Sequence, residues 1–93
     1  MTHRIRFEVR VLGVATAEKW HFEESIPELP TPGDLSGPLP SKATWRRRVI
    51  AIEKAPEQWN VAAVVKLEDI DCSRLQRDFE AEKAALREAG WKR

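Results

Sequence analysis

Few side chains in this sequence could move a proton near neutral pH: the chain has two histidines, one cysteine and no tyrosine. Catalysis needs a nucleophile or an acid–base pair held within reach of a polarising group. His3 stands near the start of the chain, and a Ser-His-Asp or Cys-His arrangement would have to be built on His21 alone, with nothing paired to it in sequence. Cys72 sits where a helix should begin, a position that lowers a thiol pKa, yet it also lies on the apolar stripe of that helix and reads as a small core residue. Glu68, Asp69 and Asp71 could attract a hard cation, but they lack calcium-loop spacing and suit a helix start on capping grounds alone. Glu23 and Glu24 are neighbours on a strand and so point to opposite faces. The expectation is a protein with no catalytic residues, no metal and no cofactor.

Binding chemistry is better represented. Arg46, Arg47 and Arg48 form the densest positive charge, and Arg4, Arg6 and Arg10 lie on one side of an alternating segment. If those two segments were neighbours, their arginines would make a stripe suited to phosphates, with Trp45 ready to stack on bases. Glu8 and Glu53 are interleaved with them and could pair with the same arginines across strands. Tryptophan is enriched in small cores and at binding hot spots alike, and this chain has four. Strand phase and a helix cap assign Trp59 and Trp91 to the core. Trp20 and Trp45 flank a proline-rich stretch and are the candidates for an exposed aromatic contact, together with Leu29, Leu35 and Leu39 inside it.

The elements that would hold these residues follow from periodicity. From Arg4 to Val11, Ile5, Phe7, Val9 and Val11 alternate with Arg4, Arg6, Glu8 and Arg10, which predicts a half-buried strand over about 4–12. One-sided strands of this kind belong to antiparallel sheets. A second strand is predicted over about 19–26, with Trp20, Phe22 and Ile26 on one face. Residues 27–41 hold five of the six prolines, which lack the donor a ladder needs, so they read as a stiff loop that either carries function or covers a sheet edge. Strands over about 45–53 and 59–68 are joined across Ala55-Pro56-Glu57-Gln58 in a hairpin. Any regular phase of the third strand buries an arginine, so either the strand starts after Arg48 or a bulge changes its phase.

A helix is predicted over about 72–89, with Asp71 as N-cap and Ile70 and Leu75 as a hydrophobic staple. At its far end Gly90 fits the left-handed position after the helix, with Trp91 folding back on Leu86.

The segment Ile26-Pro-Glu-Leu-Pro-Thr-Pro-Gly-Asp-Leu, followed by the hairpin Trp45 to Glu68, resembles small SH3-like β-barrels, in which a Pro-rich approach and a Gly-Asp turn precede bent strands. The resemblance covers about residues 5–69 and implies a protein-, peptide- or nucleic-acid-binding module more often than an enzyme. The charged C-terminal helix is not part of that pattern.

These readings predict one α+β domain over residues 1–93: a bent four-stranded antiparallel sheet or partly open SH3-like barrel with one C-terminal helix. Sixteen basic against fifteen acidic residues give a net charge of +1, which excludes a global field for nucleic acid or anionic membrane. No stretch reaches the ~20 apolar residues of a membrane span. A lone cysteine and the lack of a secretory apolar run point to a reducing, cytoplasmic compartment. The expected function is a non-enzymatic interaction module whose partner is another protein or a second copy of itself, with a small nucleic-acid-binding barrel on the arginine-rich face as the alternative.

Overall fold

The structure, a computed structural model, describes residues 2–36 and 47–93, and for Leu35 and Ser36 the backbone alone. Leu39, Trp45 and Arg46, the end of the proline-rich loop and the start of the third predicted strand lie outside the described residues. The strands are β1 (His3–Leu12), β2 (Ala17–Ile26), β3 (Leu35–Ser36), β4 (Arg47–Glu53), β5 (Ala63–Leu67) and β6 (Ile70–Asp71), followed by helix α1 (Gln76–Glu88).

The alternation of β1 translates directly into burial. Ile5, Phe7, Val9 and Val11 are all buried and face α1. The hairpin register sets Val9 opposite Trp20 and Phe7 opposite Phe22, so directly opposed residues continue the same apolar face onto β2. Val49, Val65, Leu67, Ile70 and Cys72 extend that face, and Phe79, Leu86 and Trp91 close it from the helix side. Each fully buried side chain of this size contributes about 1.5–3 kcal/mol relative to exposure.

The sheet corrects the antiparallel expectation. Its order is β2-β1-β5-β4-β3, with β6 also beside β1, and β1 pairs in parallel with both β5 and β6. The chain runs from β2 at one edge to β3 and β4 at the other, and β5 then returns antiparallel to β4 into the free side of β1. The rule that failed assumes a wet outer face, and the outer face of β1 is in part covered: Val64 and Glu8 are buried there, and the Arg6 guanidinium lies 4.0 Å from the centre of the Trp59 ring. The sheet is open, since among the described residues its ends β2 and β3 do not pair with each other.

In β4 the register shifts between Val49 and Ala51, a bulge that leaves Ile50 exposed while Val49 is buried and Ile52 packs against the core. This is the bulge alternative of the two considered above, and it lets two apolar residues three apart share a face. The fourth strand starts at Ala63, later than predicted. Trp59 ends a 3₁₀ turn (Glu57–Trp59), and Asn60 after it takes φ 55°, a left-handed conformation that asparagine tolerates and that breaks the alternation running back from Val61. Trp59 is therefore outside the core and against Arg6.

Helix α1 begins at Gln76 instead of about residue 72. The Asp71 carboxylate accepts from the Ser73 amide at 3.0 Å and the Ser73 hydroxyl at 2.6 Å, while the Cys72 amide donates to the Leu12 carbonyl at 2.8 Å. The sheet thus takes the backbone that the helix would need, and Leu75, expected in a staple, is exposed. The far end agrees with expectation. Gly90, with φ 94°, donates to the Arg87 carbonyl at 3.1 Å, and Trp91 donates to that of Leu86 at 3.0 Å, the two bonds of a Schellman motif. The Trp91 ring then packs on Phe22 with centroids 5.8 Å apart.

Candidate functional site

The described half of the proline-rich loop is fixed at both ends. Pro32 and Gly33 are the central residues of a turn closed by the Asp34 amide, which donates to the Thr31 carbonyl at 3.0 Å; Gly33 takes φ 97°, as the third position of a type II turn requires. The Asp34 carboxylate accepts from the Thr31 amide at 3.0 Å and its hydroxyl at 2.8 Å, and these bonds hold the carboxyl below its ordinary pKa. The Gly33 amide donates to the Val49 carbonyl, the Val49 amide to that of Asp34, and Arg48 Nη1 to that of Gly33 at 2.9 Å. The turn is thereby pinned to β4, and β3 pairs with Arg47 and Arg48 to cover part of its edge. The loop is thus not wholly irregular. Between the end of β2 and this turn, Pro27, Glu28 and Leu29 are exposed, Leu29 at 41 %.

Trp20 is not part of that surface. It is 2 % exposed, opposite Val9 in the core, on the strand face that it shares with the partly buried Phe22. The expectation of an exposed aromatic contact at Trp20 is corrected on that ground.

The candidate phosphate-binding arginines are dispersed. β5 lies between β1 and β4, so the two arginine groups are not on neighbouring strands. Arg6 donates to Glu23 Oε2 through Nε at 3.1 Å and Nη2 at 2.8 Å, and Arg4 Nη2 reaches Oε1 at 3.4 Å. These bonds hold the Glu23 carboxyl below its usual range. Arg10 grips Asp69 with Nε at 3.1 Å and Nη2 at 2.6 Å. Arg48 braces the loop. Arg47 is half-buried on the face of Val49, and its Nε has no hydrogen-bond partner among the described residues.

Among the described residues, hollows open at two places that matter for the candidates. One, of about 620 Å³, lies over the outer sheet face and is lined in part by Glu8, Lys19, Ile50 and Lys66. Glu8 is a buried carboxylate at 7 % exposure, with Lys19 Nζ at 3.6 Å and Lys66 Nζ at 4.0 Å from Oε1. The other, of about 420 Å³, is lined by Arg4, Arg6, His21, Phe22, Glu23, Gly90 and Lys92. His21 is held there by two backbone bonds with Lys92, of 2.7 and 2.9 Å. Burial lowers the His21 pKa, with Arg6 and Lys92 acting in the same sense against Glu23 and Glu8. Among the described residues the His21 imidazole makes no side-chain hydrogen bond. Lys92 carried no signal in sequence, because its position follows from the Schellman turn. Glu8 was legible only as an outward strand residue.

The remaining candidates lie as follows. Cys72 is buried, which pushes its thiol pKa up, as do the carboxylates of Glu82, Asp78 and Asp71. Asp69 is engaged by Arg10 and Asp71 by Ser73, and among the described residues no three His, Cys, Asp or Glu side chains converge as metal ligands. No helix among the described residues is long and apolar enough to cross a membrane. No family model, no curated protein and no solved structure matches the chain.

Proposed function

We propose that the chain is a non-enzymatic interaction module that presents its proline-rich loop to another protein or to a second copy of itself. The observation that carries this reading is the combination of exposure and fixation in residues 27–34: Leu29 projects from a segment whose far end is pinned to β4 by bonds from Gly33, Val49 and Arg48. Proline fixes its own φ and restricts the residue before it, so Ile26, Pro27, Leu29, Pro30, Thr31 and Pro32 enter a complex with little conformational entropy left to lose. Loops set on a rigid scaffold are where binding residues concentrate. The resemblance of residues 5–69 to SH3-like modules favours binding over catalysis in the same way.

The competing reading places nucleic acid on the arginine face. There Arg4, Arg6 and Arg10 already pair with Glu23 and Asp69, so a phosphate backbone would have to share or displace those carboxylates along its whole track, which reduces the net gain from each contact.

A photo-crosslinking residue at position 29, in the full chain expressed in its own cells, tests the reading. The expected result is a discrete adduct, with a protein partner or at twice the chain mass, that is missing when the same residue stands at Glu88 on the exposed side of α1. Equal labelling from both positions, or none from position 29, overturns it.

A further inference from the structure

The hollow between the β1–β2 hairpin and Lys92 lies away from the loop and is a different kind of surface. We propose that it is a binding site for a phosphate monoester, held by Arg4, Arg6, His21 and Lys92. Three separate segments build it: Arg4 and Arg6 come from β1, His21 and Glu23 from β2, and Gly90 and Lys92 from the turn after α1. The paired backbone bonds between His21 and Lys92 fix the third segment against the second, so the site's geometry is set by the fold and not by long side chains alone.

Charge selects the ligand. Arg4, Arg6 and Lys92 supply three positive charges and Glu23 one negative, and three less one leaves two. A phosphate monoester carries about −1.5 to −2 near pH 7 and matches that surplus. Donors are available for its oxygens. Arg6 uses Nε and Nη2 on Glu23, which leaves Nη1, and Arg4 holds Glu23 only at 3.4 Å. Lys92 Nζ forms no ion pair among the described residues, and His21 donates from one ring nitrogen when neutral and from both once protonated. Arg6 is preorganised, since Trp59 lies against its guanidinium face at 4.0 Å while Glu23 holds its edge. About 420 Å³ exceeds what a bare phosphate fills and lies within the range of small-molecule sites. Phe22 on the wall offers contact to the organic part of the ester.

His21 is the reporter. The charged groups that face it are Arg6 and Lys92, which depress its pKa, and Glu23 and Glu8, which raise it. A dianion beside it must raise the midpoint of its titration. The full chain is therefore titrated by NMR in sodium sulfate and in sodium chloride of equal ionic strength, and phenyl phosphate is then titrated at constant pH. Expected are a higher His21 midpoint in sulfate than in chloride, and saturable phenyl phosphate shifts at residues 4–6, 21–23 and 90–92. Affinity should be roughly tenfold weaker in both Lys92→Ala and Arg4→Gln, as loss of one charged hydrogen bond predicts. Identical midpoints in the two salts, or equal phenyl phosphate binding by wild type and both variants, overturns the proposal. Binding of an oligonucleotide without binding of phenyl phosphate also overturns it, in favour of the nucleic-acid face.

Discussion

Alanine placed at Gly33 or at Gly90 meets the same backbone penalty and different neighbours. The two glycines have φ of 97° and 94°, a region that costs a residue with a Cβ about 1–2 kcal/mol. Both substitutions also stiffen the unfolded chain, which returns about 0.4–1 kcal/mol. At Gly33 nothing lies within 4 Å of the new Cβ, so the balance is a loss of about 1 kcal/mol. At Gly90 the Cβ would stand 3.2 Å from Phe22 Cε2, and Phe22 is itself backed by Trp91. Crowding a packed ring adds about 1–2 kcal/mol, so Gly90→Ala should lose about 2–3 kcal/mol. In a chain of this length each kcal/mol moves Tm by about 4–8 °C. Urea unfolding followed by tryptophan emission gives both values, and Phe22→Leu combined with Gly90→Ala should recover about 1 kcal/mol in a double-mutant cycle. Losses at the two glycines that agree within ~0.5 kcal/mol would refute the packing part of the reasoning.

Arg6→Ala should cost about 1 kcal/mol at pH 7 and red-shift Trp59 emission, since it removes both the stacked guanidinium and the partner of Glu23. Arg6 lowers the folded pKa of Glu23, so the stabilisation is complete above the ordinary carboxyl value of 4.5 and disappears as pH falls through the lowered one. The gap between wild type and variant in urea midpoints should therefore narrow as pH falls below the ordinary carboxyl value and through the lowered one, to the part that belongs to the Trp59 stack, and a gap of constant size counts against the pairing. Ile50→Thr should change stability by no more than ~0.5 kcal/mol, whereas Val49→Ala should cost about 1–3 kcal/mol, because the bulge exposes the first (56 %) and buries the second. The reverse order in urea unfolding would place the register shift elsewhere. Cys72 should react with an aromatic disulfide reagent at least about tenfold more slowly in the native protein than in urea, and equal rates would contradict its burial.

Features set by a few adjacent residues were legible in the sequence. The inward set of β1, the shared face of Trp20 and Phe22, and the Gly90-Trp91 ending all depend on local periodicity or on one glycine, and the structure has them. Features set by competition between distant segments were not. Asp71 fits a helix cap and a strand-ending turn equally well, and what decides is the free edge of Leu12, which takes the Cys72 amide. Trp59 continues the pattern of Val61 and Ala63 on paper, and only the left-handed Asn60 takes it out of phase. Parallel pairing of β1 with β5 leaves no mark on β1 itself, because the cover on its outer face comes from Trp59 and Val64, more than fifty positions along the chain. Among the site residues, Arg4 and Arg6 were visible as cations and Lys92 was not, since its place depends on where the helix turns the chain.

The central position of β1 has a consequence for how the chain reaches this state. β1 and β2 are adjacent in sequence and can zip into a hairpin early, but the other side of β1 waits for residues 63–66 and 70–71, contacts of high sequence separation that form slowly. During that wait a long strand edge with an apolar face stands open, the configuration that seeds intermolecular pairing. Arg4, Arg6, Glu8 and Arg10 alternate along it and act then as gatekeepers against association. Glu23 on β2 can already engage Arg4 and Arg6 at that stage, whereas Arg10 stays a bare charge at the open end until Asp69 arrives to take it. Replacing Arg10 with an apolar residue should thus be felt first in refolding yield at high protein concentration, before any loss of equilibrium stability.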